Sequence, residues 1–531
     1  MKLNYIHTML VSLLSCSAAF ATMNAKVDIT KTYQTIEHFG AADAWSGNLI
    51  GQWADKERNK IADWLFSTEN DSYGNPKGIG LSLWRVNLGG GSWEQGDDSG
   101  IKTIQKRAES FLTLDGKQYD WKKCAGQQWL MEAAKKRGCE KFLLFVNSPH
   151  VSMTISGKAW NSQKSAKGNL KPECYGAFAD YLATVAKYFT KKGFEITYIS
   201  PANEPQWMWD TGSQEGTPYY NSELARIVRE LDKALEAHKL SDTKIIIAES
   251  ERIANLYELE YARKPRVKAK HNVPDDEIVG NQIKVFFDKN SPHYVGDLKH
   301  VLKAINSHSY DSDKTVETLK EERAPLAAEL EKYGIGFHAS EFITIPHLRT
   351  DSDMGEKGNP SEMNEALHLA RVIHTDLTFT PSVTWQNWKA IELYDQPGRA
   401  LVHLYPKTGD VREIEKGGYA QTSKLLWGMG NFSRFIRPNY KRVSFGGFED
   451  IANKTFGSAW LSPDGKRLVL VCENTKFEDE VLNLTLPAEF NDSKVVAYQT
   501  SERMDLAKID VPAKKNLKLP QRSITTFVFE K

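Results

Sequence analysis

Between Ile36 and about Ile436 the chain alternates short apolar, β-prone runs with longer segments whose apolar residues recur every three to four positions. Eight such runs stand out: Ile36 to Trp45, Gly78 to Leu88, Lys141 to Ser148, Glu195 to Ala202, Lys244 to Ala248, Lys303 to His308, Gly334 to Ser340 and Ser382 to Trp388. The helical period is clearest over Tyr175 to Lys192, Asn221 to Lys239 and Asn364 to Phe379. Strands that are apolar throughout, with no alternation, belong to parallel sheets covered by helices. Eight strand-helix pairs therefore predict an α/β fold, a (β/α)8 TIM barrel over residues 36–437. The competing architecture is an open doubly wound sheet, but no Gly-rich phosphate loop follows an early strand to support it.

After Pro438 the pattern changes to short strands and turns: Phe456 to Leu461, Arg467 to Cys472, Val481 to Leu486, Lys494 to Gln499 and Ser523 to Phe529. Ser462-Pro463-Asp464-Gly465 between the first two is a hairpin turn. Residues 438–531 thus read as an appended side β-sandwich. Val27 to Thr30 precedes the first barrel strand, and residues 22–35 are read as adding to that sandwich. Asp351 to Pro360, polar and Gly-containing, reads as a long loop after the seventh strand.

The N-terminus changes the picture of location. Lys2 and His7 precede an apolar core from Met9 to Leu14, then small residues from Ser15 to Ala21, the layout of an export signal over residues 1–21. The apolar run is too short to span a bilayer. Leu13-Leu14-Ser15-Cys16 is also similar to a bacterial lipobox, so a lipid anchor at Cys16 is the alternative. The expected location is exported: periplasmic, extracellular or lipid-anchored at the cell surface.

Charge and cysteines exclude several classes of partner. With 69 Lys and Arg against 68 Asp and Glu, no basic field points to nucleic acid or an anionic membrane. Beyond Cys16, Cys124, Cys139, Cys174 and Cys472 lack the spacing of a zinc site or a disulfide framework and read as buried thiols. No His/Asp spacing matches a catalytic metal site, and no cofactor is expected. Fourteen Trp and 20 Tyr supply aromatic faces on which sugar rings stack, although large barrels also bury many aromatics as core. A neutral substrate fits this charge balance, and the composition permits a carbohydrate enzyme without choosing one; a monomer is expected.

Residues just past the C-terminal ends of barrel strands converge on one mouth. Glu204 ends the fourth run in Ser200-Pro201-Ala202-Asn203-Glu204-Pro205, and Glu341 ends the seventh in His338-Ala339-Ser340-Glu341-Phe342. Each alone could be a helix cap or a solvated charge. Together they are the pair a retaining glycosidase needs, one attacking the anomeric carbon and one trading a proton with the leaving oxygen, about 5 Å apart. Asn203 can hydrogen-bond a sugar 2-hydroxyl. Glu249, ending the fifth run, competes for either role and is ranked behind both, as a supporting or substrate-rim carboxylate.

Gln34-Thr35-Ile36-Glu37-His38-Phe39-Gly40-Ala41, Arg85, the two Glu-bearing segments and Gly430-Asn431-Phe432-Ser433-Arg434-Phe435-Ile436-Arg437-Pro438 resemble glycoside hydrolase family 30. Leu519 to Phe527 is similar to the closing strand of that family's side domain. The resemblance covers nearly the whole mature chain and implies a barrel with a side β-sandwich and retention of anomeric configuration. By matching motifs it implies Glu204 as acid/base and Glu341 as nucleophile. It further implies Arg85 as a partner of the nucleophile and Tyr310 as the hydroxyl approaching it. His308 is read either as a site residue or as a satisfied core histidine. Trp388 is implied as the platform under the cleaved sugar, and Trp385 as a second contact or barrel core.

Asn203-Glu204-Pro205-Gln206-Trp207 with Gln214-Glu215-Gly216 most resembles the endo-β-1,6-galactanase branch. Alternatives are a β-1,6-glucanase, a xylanase, an exo-acting fucosidase or glucosidase, and, from another class, a non-catalytic glycan-binding protein. Two departures from the family stand out. Ser148-Pro149-His150-Val151-Ser152-Met153 lacks an aromatic that relatives carry near the third strand, and His338 stands where relatives carry Trp.

Overall fold

The computed structural model describes residues 22–257, 273–274, 277, 279–345, 361–393 and 400–531. The export signal expected over residues 1–21, with Cys16, and the loop expected at Asp351 to Pro360 lie outside the described residues.

The barrel strands are His38–Ala42, Leu83–Asn87, Lys141–Phe145, Glu195–Ser200, a fifth in two pieces (Lys244–Ile245 and Ala248–Ser250), Ala304–His308, Gly336–Phe342 and Ser382–Asn387. Neighbours pair in parallel around the ring. Closure happens at the divided fifth strand. Its first piece pairs with the fourth strand and its second with the sixth. Between them Ile246 N–H donates to Ile199 at 3.0 Å and Ile247 accepts from Asn306 at 2.9 Å. A closed sheet has no edge left to pair with other chains.

The third strand shows why such sequences are apolar throughout. Leu143 and Phe145 fill the barrel interior with Leu83, Tyr198 and Ile246, while Phe142 and Leu144 pack outward in the main core. That outer layer includes Tyr175–Lys191, which buries Phe178, Leu182, Val185 and Phe189, and Asn221–Ala237, which buries Leu224, Ile227, Val228, Leu231 and Leu235. These spacings are the expected three-to-four residue stripe.

The second module is a nine-stranded sheet. Its strands at Thr455–Leu461, Arg467–Asn474, Glu480–Thr485, Lys494–Ser501 and Ser523–Glu530 occupy the sequence runs noted above. Lys441–Gly446, Met504–Ile509 and Asn516–Leu519 are additional. Ser462 and Gly465 close the hairpin turn, with Gly465 in left-handed backbone at φ +68. Leu468, Leu470 and Cys472 face one core shared with Leu482, Leu517, Phe527 and Phe529, so the two ends of the sheet fold over a common interior. Val469 and Val471 face the barrel. Into the middle of the sheet runs the N-terminal strand Thr22–Thr35, antiparallel to Lys441–Gly446 and parallel to Glu480–Thr485.

A three-stranded sheet after the eighth barrel strand, Ile391–Leu393, Val402–Pro406 and Gly418–Thr422, has no counterpart in the sequence reading. Among the described residues all four cysteines are unpaired thiols, and no helix is long and apolar enough to cross a membrane.

Helix Lys424–Ser433 joins the two modules. Asn431 is fully buried, donating to Thr500 Oγ1 at 2.7 Å and accepting from Thr526 Oγ1 at 3.0 Å. Asn431→Ala would leave both hydroxyls without that partner in a dry interface, and should lower stability by about 2–3 kcal/mol. A urea midpoint equal to wild type would show that docking does not depend on it.

Candidate active site

The strand ends at the barrel mouth are built on unusual backbone. Glu204, after the fourth strand, has φ +43, and Glu249, in the fifth, has φ +54. Non-glycine residues pay for this left-handed region, and such strain persists only where surroundings enforce it. Here the enforcing contact is mutual: Glu204 N–H donates to the Glu249 carbonyl at 2.8 Å. Both side chains are buried.

His308, at the end of the sixth strand and fully buried, joins three carboxylates. Its Nδ1 lies 2.8 Å from Glu204 Oε1 and 3.3 Å from Glu341 Oε1, and its Nε2 lies 2.9 Å from Glu249 Oε2. Donating from both nitrogens requires the imidazolium. Burial works against that charge, but Glu341, Glu204 and Glu249 outweigh it and raise the pKa to about 10. His308 therefore stands against all three carboxylates.

Glu249 is the fixed anion of the group. Burial would raise its pKa, yet the Arg85 charge and the His308 and Ser340 hydrogen bonds bring it down to about 2. Ser200 Oγ donates to one of its oxygens at 2.8 Å, Ser340 Oγ to the other at 2.7 Å, and Arg85 is 3.7 Å away. With both oxygens engaged inside the protein, it sits beneath the mouth and not on a substrate rim. Glu204 moves the other way. Its burial, the largest effect, pushes its pKa up to about 7 against the lowering pull of His308, and the charge of Glu341 adds to the rise.

Glu341 receives Arg85 Nη1 on one oxygen and the Tyr310 hydroxyl, at 3.1 Å, on the other. Arg85 also donates to Asn203 Oδ1 at 3.4 Å and lies over the Phe145 ring, 3.9 Å from its centroid. Oxygens of Glu204 and Glu341 and a His308 nitrogen lie within 4.8 Å of one another, close enough for a cation to bridge. In this donor set His308 already bridges the two side chains, and Arg85 is bonded to Glu341.

Trp388 follows the eighth strand, 8% exposed, and meets Trp45 edge to face at 5.4 Å. Trp385 lies elsewhere: it is fully buried and its indole donates to Asp376 Oδ2 on helix Glu362–Thr378 at 2.9 Å. Its reading as a sugar contact is therefore corrected to barrel-to-helix core. The two family departures have ordinary packing explanations. His150 is buried, bonded to Ser152 Oγ at 2.8 Å, and His338 packs edge to face on Tyr198 at 5.5 Å, below Glu341. Sequence reasoning missed Ser200, Ser340, Phe145 and Trp45. Both serines stand inside the Glu-bearing segments, three or four residues from Asn203 and Glu204 and next to Glu341, where hydroxyls for a buried carboxylate could have been sought.

Residues 22–403 match the model of O-glycosyl hydrolase family 30. Over 247 residues the chain is 27% identical to an endo-beta-1,6-galactanase from Hypocrea rufa, covering 43% of this chain and 50% of that protein. Over 253 residues it is 24% identical to an exo-beta-1,6-galactobiohydrolase from Bifidobacterium longum subsp. longum, covering 38% of this chain and 16% of that protein. It thus spans half or less of the length of these curated relatives. The fold is similar to that of a conserved exported protein from Bacteroides fragilis, with 32% identity, a TM-score of 0.85, and coverage of 95% and 99% of the two chains. With the family model matched over most of its length, this chain belongs to O-glycosyl hydrolase family 30.

Proposed function

We propose that the enzyme cleaves β-1,6-linked galactan with retention, Glu341 acting as nucleophile and Glu204 as general acid/base. The observation that carries this reading is the pair itself: two buried carboxylates with oxygens within 4.8 Å, one whose pKa burial raises to about 7 and one against a guanidinium. A gap of this size suits direct attack, whereas an inverting pair stands about 6.5–9.5 Å apart to admit a water. In the first step Glu341 bonds to the anomeric carbon while Glu204 gives its proton to the departing oxygen. In the second, Glu204 takes a proton from water as that water displaces Glu341. The galactan assignment is supported by the two relatives that act on β-1,6-galactose linkages and by the segment from Asn203 to Trp207.

Export is part of the same reading, supported by residues 1–21 and by the likeness to an exported protein. The mass of the mature N-terminus distinguishes cleavage after Ala21 from a chain starting at a lipidated Cys16; an uncleaved chain in the cytoplasm would overturn both.

A panel of β-1,6-galactan, β-1,3-galactan, β-1,6-glucan, xylan and aryl β-glycosides tests substrate and stereochemistry together. Galacto-oligosaccharides released first as the β-anomer are expected, and inverted products would sink the mechanism. Glu341→Gln should lower turnover by several orders of magnitude with the fold intact.

The pH profile tests the acid. Glu204 is active as an acid only while protonated, so kcat/KM should fall as pH rises through about 7. His308 lowers the Glu204 pKa, so His308→Asn should move that basic limb to higher pH even as the rate drops. A limb that stays in place would separate His308 from the acid's ionisation.

A further inference from the structure

In a closed ring of eight strands, the eighth and first lie across the mouth from the fourth, which carries Glu204. Lys389, directly after Trp388, has left-handed backbone at φ +55 and a side chain only 6% exposed. Its ammonium pairs with Glu392 in strand Ile391–Leu393. Among the described residues Glu392 is its hydrogen-bond partner, although an ammonium carries three donors. The Trp45 ring centre is 5.9 Å from that ammonium. Trp45 is 8% exposed, and its indole N–H has no acceptor among the described residues. It also lines a small cleft with Asn87, Trp93 and Gln127.

Among the described residues this wall presents the Trp45 indole N–H without an acceptor and a Lys389 ammonium bonded to Glu392 alone, a costly state unless a ligand supplies the lone pairs. Glu392 balances the Lys389 charge; a second cation on this wall, Lys106, lies 5.3 Å from the Trp45 ring centre, and the neutral glycan of the proposed function offers hydroxyls as the fitting groups. Because the eighth strand's end stands opposite the fourth, which leads into Glu204, a sugar whose leaving oxygen meets Glu204 would turn its remote edge toward this wall. In a hexopyranose that edge is C4 with the C6 arm. We propose that Lys389, held by Glu392, together with the Trp45 indole N–H, binds the hydroxyls of the C4–C6 edge of the cleaved sugar and so selects the glycone. The inference rests on the reading of Glu204 and Glu341 as the reacting pair.

Removing Lys389 alone would strand a buried carboxylate, so the test uses the double variant K389M/E392M. Wild type and variant are compared on an aryl β-galactoside and its 4-deoxy and 6-deoxy counterparts. In wild type, deleting a recognised hydroxyl should lower kcat/KM about 100-fold; in the variant the same deletion should cost less than about threefold, because the partner is already gone. A variant slowed by one common factor on all three glycosides, or a wild type indifferent to both deletions, overturns the proposal. Should the double variant not fold, Trp45→Phe keeps the ring against Trp388 and reads the same ratios. If the enzyme prefers another glycoside, the galactan reading fails, while the same deoxy series in the preferred configuration still decides the role of Lys389.

Discussion

The site depends on one buried imidazolium. His308 touches Glu204, Glu249 and Glu341, and its charge with that of Arg85 sets the proton inventory around them. Glu249 is the best solvated by protein donors, and the Arg85 charge with the His308 and Ser340 hydrogen bonds holds its carboxyl below the usual carboxylate range. Glu341 is bound by Arg85 and Tyr310. Glu204, with burial as its largest influence, has its pKa pushed up to about 7. Sites in which environment pushes neighbouring carboxyl pKa values apart are those where acid and nucleophile can coexist at one pH.

That electrostatic balance needs rigid placement, and the barrel supplies it at a cost in backbone comfort. Glu204 and Glu249 are both left-handed, and the hydrogen bond between their main chains ties the fourth strand's end to the divided fifth strand. The closure point of the barrel and the pH-setting cluster are therefore the same few residues. A change that loosened the fifth strand would disturb Glu249, and through His308 it would reach Glu204.

Much of this was legible in the sequence because the signals were local. Apolar runs such as Lys141 to Ser148 have one physical explanation, a strand buried on both faces, and carboxylates at the ends of two of them had to meet once the barrel closed. Asn203 was within reach for the same reason, whereas Arg85, Tyr310 and His308 came in through the family resemblance. What was not legible depends on side-chain direction. Trp385 and Trp388 are three residues apart, yet one faces the helices and the other the mouth, which no spacing rule states. Met504–Ile509 alternates weakly and is largely exposed, so it lacked an apolar signature, and Asn516–Leu519 is only four residues long. The Lys389–Glu392 pair gave no sign of burial, since charged residues three apart are usually solvated.

The N-terminal strand carries a consequence for how the chain is made. Thr22–Thr35 lies between Lys441–Gly446 and Glu480–Thr485, partners separated from it by the entire barrel. During synthesis from the N-terminus this strand emerges first and waits longest. Such remote pairing is slow to form, and unpaired strand edges invite association between chains in the meantime. The barrel can assemble while the nascent chain lengthens, but the side sheet is split in two until Thr22–Thr35 pairs with both Lys441–Gly446 and Glu480–Thr485. Expression conditions that slow synthesis would lengthen that interval, and aggregation of partly made chains should originate in this sheet before it does in the barrel.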